Sequence, residues 1–133
     1  MQPIIPPSTP PQSQDASNPG GVKHDIGKTR WDLFPWEAAK EISDVLTYGA
    51  AKYGDRNWER GFRWGRPYAA ILRHLTAWFV GEDMDRESGF SHLAHAGCEL
   101  MFLLTLTKRG AGEDDRPRAH FVVKNLWRAP DSV

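Results

Sequence analysis

Apolar residues recur at helical spacing in three stretches of the chain. Trp36, Ile42, Val45, Leu46 and Ala50 mark one face of a helix that Pro35 opens in the favoured first-turn position and Gly54-Asp55 stops near Tyr53. Tyr68, Ile71, Leu72, Leu75, Trp78 and Phe79 mark a second helix over roughly 67–81, ended by Gly81. Leu93, Gly97, Leu100 and Leu104 mark a packing stripe of a third over roughly 90–108, ended by Gly110. The pattern predicts an all-α helical bundle. Its large apolar residues exceed what so short a bundle can bury, so an oligomer is expected, a homodimer or homotetramer.

Outside these helices the composition shifts. The first 20 residues carry six of the ten prolines, among Ser, Gln and Thr, which can neither propagate a helix nor bury enough apolar area to offset ordering entropy. The expected organisation is a disordered Pro-rich N-terminal arm at 1–22, one folded domain at 23–112 and a C-terminal extension at 113–133. The polar break Gly112-Glu113-Asp114-Asp115 spans the boundary to that extension, and periodicity does not choose between strand and helix turn for His120 to Trp127. The 17 basic and 17 acidic residues cancel, which argues against stable binding of nucleic acid through its phosphates. Cys98 has no partner for an internal disulfide, and neither a bilayer-spanning run nor a secretory leader is evident, so a reducing, cytoplasmic location is expected.

The polar positions carry the chemistry. His92, His95 and Glu99 fall at i, i+3 and i+7, one stripe of the third helix, and His74 sits on the second. The loop Glu82-Asp83-Met84-Asp85-Arg86-Glu87 joins the two, so a helical hairpin gathers imidazoles and carboxylates suited to a first-row metal. A hydrogen-bonded core histidine is the ordinary alternative for His74, and an ion pair with Glu99 for His95. An EF-hand is excluded, because counting from Asp83 puts Ala94 where a bidentate Glu is needed. A second carboxylate face, Glu37, Glu41 and Asp44, lines the first helix. Lys23, Lys28, Arg30, Lys52 and Arg56 suit phosphate binding, with Gly27 allowing close approach. Arg56, Asn57, Trp58, Arg60, Arg63 and Trp64 make the loop after the first helix suited to a nucleobase and its phosphates.

Several separate blocks, in order, resemble one family: Lys23-His24-Asp25-Ile26-Gly27-Lys28-Thr29-Arg30, Tyr48 to Trp58, Arg73-His74-Leu75, and Gly81 to Gly89 with His92-Leu93-Ala94-His95-Ala96. They are similar to the phage dATP/dGTP diphosphohydrolases of the MazZ type, grouped with MazG-like all-α nucleotide pyrophosphohydrolases. The resemblance implies cleavage of a purine deoxynucleoside triphosphate to monophosphate and pyrophosphate, with dGTP the natural substrate if the product feeds replacement of adenine by 2-aminoadenine in phage DNA. It also implies two or more divalent ions. Here the chain departs from the broader MazG pattern: the pair E-x-x-E falls on His74 and Ala77, and E-x-x-D on His92 and His95. The metal set is then expected among His74, Glu82, Asp83, His92, His95 and Glu99, favouring Mn²⁺ or Co²⁺ over Mg²⁺.

On this reading Glu87 or Asp85 serves as base and Arg73, with Lys28 and Lys52, takes up charge on the leaving group. Lys23, Asp25, Lys28, Arg30, Lys52, Asn57 and Trp58 contact the substrate, Trp58 by stacking on the purine. Two alternatives stay open: an HD-type triphosphohydrolase, suggested by His24-Asp25, and a non-enzymatic nucleotide-binding module with a structural Zn²⁺.

Overall fold

The computed structural model describes residues 20–117. The expectations for the first 19 residues and for His120 to Trp127 lie outside the described residues. Compactness divides the chain into two units between Phe34 and Pro35. The first unit carries a turn at Asp25 to Lys28, closed by a hydrogen bond from the Lys28 amide to the Asp25 carbonyl at 3.1 Å. A 3-10 turn, Trp31–Leu33, follows, with Trp31 set edge-on to Phe34.

Among its described residues the second unit holds three α-helices and no strand: α1 (Trp36–Tyr53), α2 (Gly65–Phe79) and α3 (His92–Arg109). Helices α2 and α3 pack on each other, and α1 packs on α3. The end of α1 falls at Gly54 (φ +94°) and that of α3 at left-handed Gly110, both as their glycines predict. Ser91 caps α3, its hydroxyl accepting from the Leu93 amide at 3.1 Å. No helix among the described residues is long and apolar enough to cross a membrane.

The inward face of α3 differs from the expected one. Leu93, Leu100 and Leu104 are 46%, 57% and 63% exposed, whereas Ala94, Ala96, Cys98 and Leu106 are buried, and His92 with them at 5%. Small residues let the helices come close. Val45, Ala94 and Cys98 form the core, ringed by Ile42, Leu46, Phe90 and Phe102, and a Cβ built on Gly97 would lie 3.1 Å from the Ile42 Cδ1. On α2, likewise, Tyr68, Leu72, Leu75, Trp78 and Phe79 are exposed while Ile71 and His74 turn inward. The bundle thus turns His92 inward among small apolar residues and leaves large apolar stripes outside.

The residues after α3 form a strap over the start of α2. The Trp64 indole donates to the Ala111 carbonyl at 2.9 Å, and the Trp64 amide to the Glu113 carbonyl at 2.9 Å. The Glu113 amide returns a bond to the Phe62 carbonyl at 3.1 Å, and the Asp115 carboxylate accepts from the Gly65 amide at 2.7 Å. A carboxylate on the first amides of α2 satisfies free donors and complements the helix dipole. It also explains why α2 starts two residues before the expected Pro67.

Candidate active site

The acidic loop between α2 and α3 is folded back on itself. The His92 amide donates to the Asp83 carbonyl at 2.9 Å, and the Asp85 amide to the Phe90 carbonyl at 2.7 Å, forming a narrow antiparallel bridge. Asp85 accepts from both the amide and the hydroxyl of Ser88, at 2.9 and 2.7 Å. With its proton given to Asp85, the Ser88 oxygen accepts at the 2.6 Å contact with His95 Nε2, which fixes the proton of a neutral His95 on Nε2. The His74 ring stacks on His95 at 4.5 Å, nearly parallel at 7°.

Two imidazoles then meet. His74 Nδ1 lies 2.9 Å from His92 Nδ1, and His92 Nε2 lies 3.1 Å from the Glu82 carboxylate. If Nε2–H of a neutral His92 donates to Glu82, its Nδ1 is a lone pair facing His74. His74, Asp85 and His92 each offer a donor atom, all within 4.8 Å of one another. Two imidazoles and a carboxylate fit a first-row divalent ion, and Glu82 behind His92 is the kind of partner that orients a metal-bound histidine. The cluster unites two expected ligands with a residue expected as a base, Asp85.

Electrostatics keep two of these donors, His74 and Asp85, available. Burial lowers the His74 pKa, reinforced by His95 and His92, and burial likewise lowers that of His95 against the opposing pull of Asp85. For Asp85, burial is the largest influence and acts upward, but the Ser88 hydrogen bonds and the neighbouring His95 and His74 outweigh it, so the carboxyl stays below its ordinary value. Neutral imidazoles beside a carboxylate are the protonation states that metal binding needs.

These shifts set an expected pH dependence. In metal-free protein His74 and His95 titrate below the ordinary 6.5, so the unfolded chain binds more protons and stability rises with pH. Their contribution is complete above 6.5 and is lost as pH falls through the folded values. Asp85 adds to the loss only at lower pH, below its ordinary 3.8. Glu99, raised above 4.5, has the opposite sign: its stabilisation is present below that value and lost as pH rises through its folded pKa. Thermal melts in EDTA should show Tm falling from about pH 7.5 to about pH 5, with a shallower fall in the double variant His74→Gln, His95→Gln. A Tm independent of pH across that range in the wild type would contradict neutral, half-buried imidazoles.

The cluster opens into a cavity of about 1350 Å³ between α1, the loop after it, α2 and α3. His74, Asp85, His95, Arg73 and the pair Lys52–Glu87 line one part, and Trp58, Phe62 and Phe102 line another. Lys52 donates to Glu87 at 2.7 Å, a contact that, foremost among several, raises its pKa. Arg56 enters at φ +56°, a left-handed conformation uncommon for a residue with a Cβ, and it lines the cavity beside Asn57. Trp58 lines it too, but its ring stacks on Phe102 at 4.6 Å and 17°, with the Arg109 guanidinium 5.9 Å from its centre. Trp58 therefore packs within the protein as well as facing the cavity. Cys98 also borders the cavity, its thiol pushed up to about 12 by burial and so unreactive.

Other expected residues of the second unit stand apart from the cluster. The Asp83 side chain is exposed, and only its backbone takes part, as acceptor for the His92 amide. Glu99 lines the cavity without joining the three donors. His95 meets Ser88 and, at 3.7 Å, Asp85, instead of forming the i, i+4 ion pair with Glu99. On α1, Glu37 and Glu41 are exposed and Asp44 is held by Lys40 at 2.7 Å, so this face gathers no cluster. Lys23, His24, Asp25, Lys28 and Arg30 belong to the first unit, all exposed, with Lys28 paired to Asp25 at 3.3 Å. Ser88, which links Asp85 to His95, went unnoticed in the sequence; an acidic residue three positions before a Ser, in a loop ending at Gly89, was its only signal.

Comparison with known proteins follows the same blocks. The chain is 36% identical over 96 residues to a protein of Salmonella phage PMBT28 named dATP/dGTP diphosphohydrolase. The match covers 72% of this chain and 33% of that protein, so the chain spans about a third of the relative's length. No solved structure matches it. Residues 18–116 match the family described as dATP/dGTP diphosphohydrolase, N-terminal, and a match over that much of the sequence means that the chain belongs to this family.

Proposed function

We propose that the protein hydrolyses a purine deoxynucleoside triphosphate, dGTP foremost and dATP with it, to the monophosphate and pyrophosphate with the help of divalent metal. The observation that carries this reading is the convergence of His74, Asp85 and His92, the first two of which line a cavity whose wall also carries Lys52, Arg56, Arg73, Trp58 and Phe102. The activity is the one in the phage relative's name. The helical layout is compatible with the MazG-like grouping, and two imidazoles in the donor set favour Mn²⁺ or Co²⁺ over Mg²⁺. When bound, such an ion supplies Lewis-acid stabilisation of phosphoryl oxygens and acidifies a water.

The chain's own groups do the rest. Glu82 orients His92 through the 3.1 Å contact, and Ser88 holds Asp85 and His95 in register. Arg73, exposed beside His74, and Lys52 neutralise charge that develops on the leaving pyrophosphate. Glu87, aligned by Lys52, accepts the proton of the attacking water. Lys23, Asp25, Lys28 and Arg30 remain proposed substrate contacts of the first unit. The exposed leucines of α3 and the apolar stripe of α2 support the expected homo-oligomer. Free nucleotides as substrate suit the host cytoplasm, and dGMP as product suits a pathway toward 2-aminoadenine.

The deciding assay incubates the purified protein with Mn²⁺ and each of the four dNTPs, and resolves the products by ion exchange. Appearance of dGMP with pyrophosphate is the expected result. Deoxyguanosine with triphosphate would assign the HD-type reaction, and no product from any nucleotide would leave a binding module with a structural metal.

A further inference from the structure

The acidic residues of the cavity are not equally engaged. Asp85 is tied to Ser88, Glu87 to Lys52 and Glu59 to Arg109, while Asp55 is exposed. Glu99 is half-buried and makes no direct hydrogen bond or ion pair among the described residues. Burial raises its carboxyl pKa, with Arg73 and Arg66 only partly offsetting that cost. A carboxylate desolvated at a cavity wall without a direct hydrogen bond is a local cost that the two arginines recover only in part.

Its place on α3 says what would recover it. Glu99 lies one turn beyond His95, about 6 Å along the axis, and Phe102 about 4.5 Å further on. Phe102 carries the stacked ring of Trp58. The helix therefore sets out, in order, the histidine end, a carboxylate and an aromatic wall. This step rests on the proposed function: a nucleotide whose phosphates lie at the His74, Asp85 and His92 end sends its base toward Phe102 and passes Glu99 on the way. Like charge keeps a carboxylate from serving the triphosphate. An ionised carboxylate only accepts, through two oxygens, so its complement is a pair of adjacent N–H donors. Guanine presents such a pair, N1–H and the N2 amino group; adenine has an unprotonated N1 there and its amino group on the other side.

We propose that the Glu99 carboxylate reads guanine through N1–H and the N2 amino group and so determines the base specificity of this site. The test uses Glu99→Gln, which keeps size and shape but replaces one acceptor oxygen by a donor. Three substrates are compared by kcat/KM: dGTP, dITP, which lacks the N2 amino group, and dATP. Binding of dGMP and dAMP is measured calorimetrically alongside. Wild type should prefer dGTP to dITP by about 10-fold, and E99Q should lower the dGTP to dATP ratio by about 10- to 100-fold while dGTP and dITP become nearly equal. An unchanged ratio in E99Q overturns the proposal, as does an equal loss on all three substrates with weakened Mn²⁺ binding, which would make Glu99 a metal ligand. Should wild type hydrolyse no dNTP, the proposed function fails by itself and binding decides this point. A preference for dGMP that E99Q abolishes supports base reading, and no preference, or no binding, overturns it.

Discussion

His92→Ala should abolish the proposed turnover and leave a folded protein. His92 is the most enclosed donor of the cluster, 5% exposed, and it joins both neighbours, His74 at 2.9 Å and Glu82 at 3.1 Å. Its loss takes one of three converging donors and strands the other two partners at once. The expected fall in kcat/KM is about 10³-fold or more, since binding and positioning of the ion fail together. The cost in stability is smaller, about 1–3 kcal/mol for partners left unsatisfied, within what a domain of this size tolerates. Circular dichroism should therefore show intact helices, while a Mn²⁺ titration shows weakened uptake. Glu82→Gln, which keeps an acceptor near His92 but removes its charge, should weaken metal binding by about 10- to 100-fold. Wild-type turnover in His92→Ala would remove His92, and with it this metal site, from the chemistry.

Gly112→Ala should be the most damaging single methyl group for the fold. A Cβ on Gly112 would sit 2.1 Å from the Phe62 carbonyl oxygen and 3.0 Å from its nitrogen, and the residue holds φ +82°. Both obstacles are backbone, so neither yields by a rotamer change. The left-handed conformation alone costs about 1–2 kcal/mol for an alanine, and separating the strap from Phe62 breaks the bond that the Glu113 amide makes there. A total of about 4 kcal/mol is expected, which lowers Tm by about 15–30 °C for a domain near 100 residues. Gly81→Ala is the control: its φ is +104°, but nothing lies within 4 Å of the added atom. It should cost only the conformational part. Equal melting temperatures for the two variants would mean that the strap does not press on Phe62 as described.

The strap shows where reading along the chain stops. The polar break after Gly110 was legible, but its use was not, because Asp115 meets Gly65 across 50 residues of sequence. The stripes of α3 illustrate a second limit. Periodicity separates Leu93, Leu100 and Leu104 from His92, His95 and Glu99 but does not say which set turns inward, and here the polar set does. The reason is the company that α3 keeps. Helix α1 approaches at the small residues Ala94, Gly97 and Cys98, and α2 presents His74 to His92, so the remaining face is left outside.

The candidate site divides in the same way. That His74 and His92 share one hairpin, and are candidate metal donors, follows from residue type and spacing, since two helices joined by a short acidic loop must run side by side. That Asp85 completes the cluster, while Asp83 and Glu99 stay outside it, depends on the bridge between Asp83 and His92 and on Ser88. The three helices, the glycine stops of α1 and α3 and the candidate donors were determined by the sequence itself, because they rest on backbone preferences and side-chain chemistry within a few residues. Which face is buried, which carboxylate joins the histidines and what the strap holds were decided only by tertiary structure, because those outcomes depend on groups far apart in the chain competing for the same space.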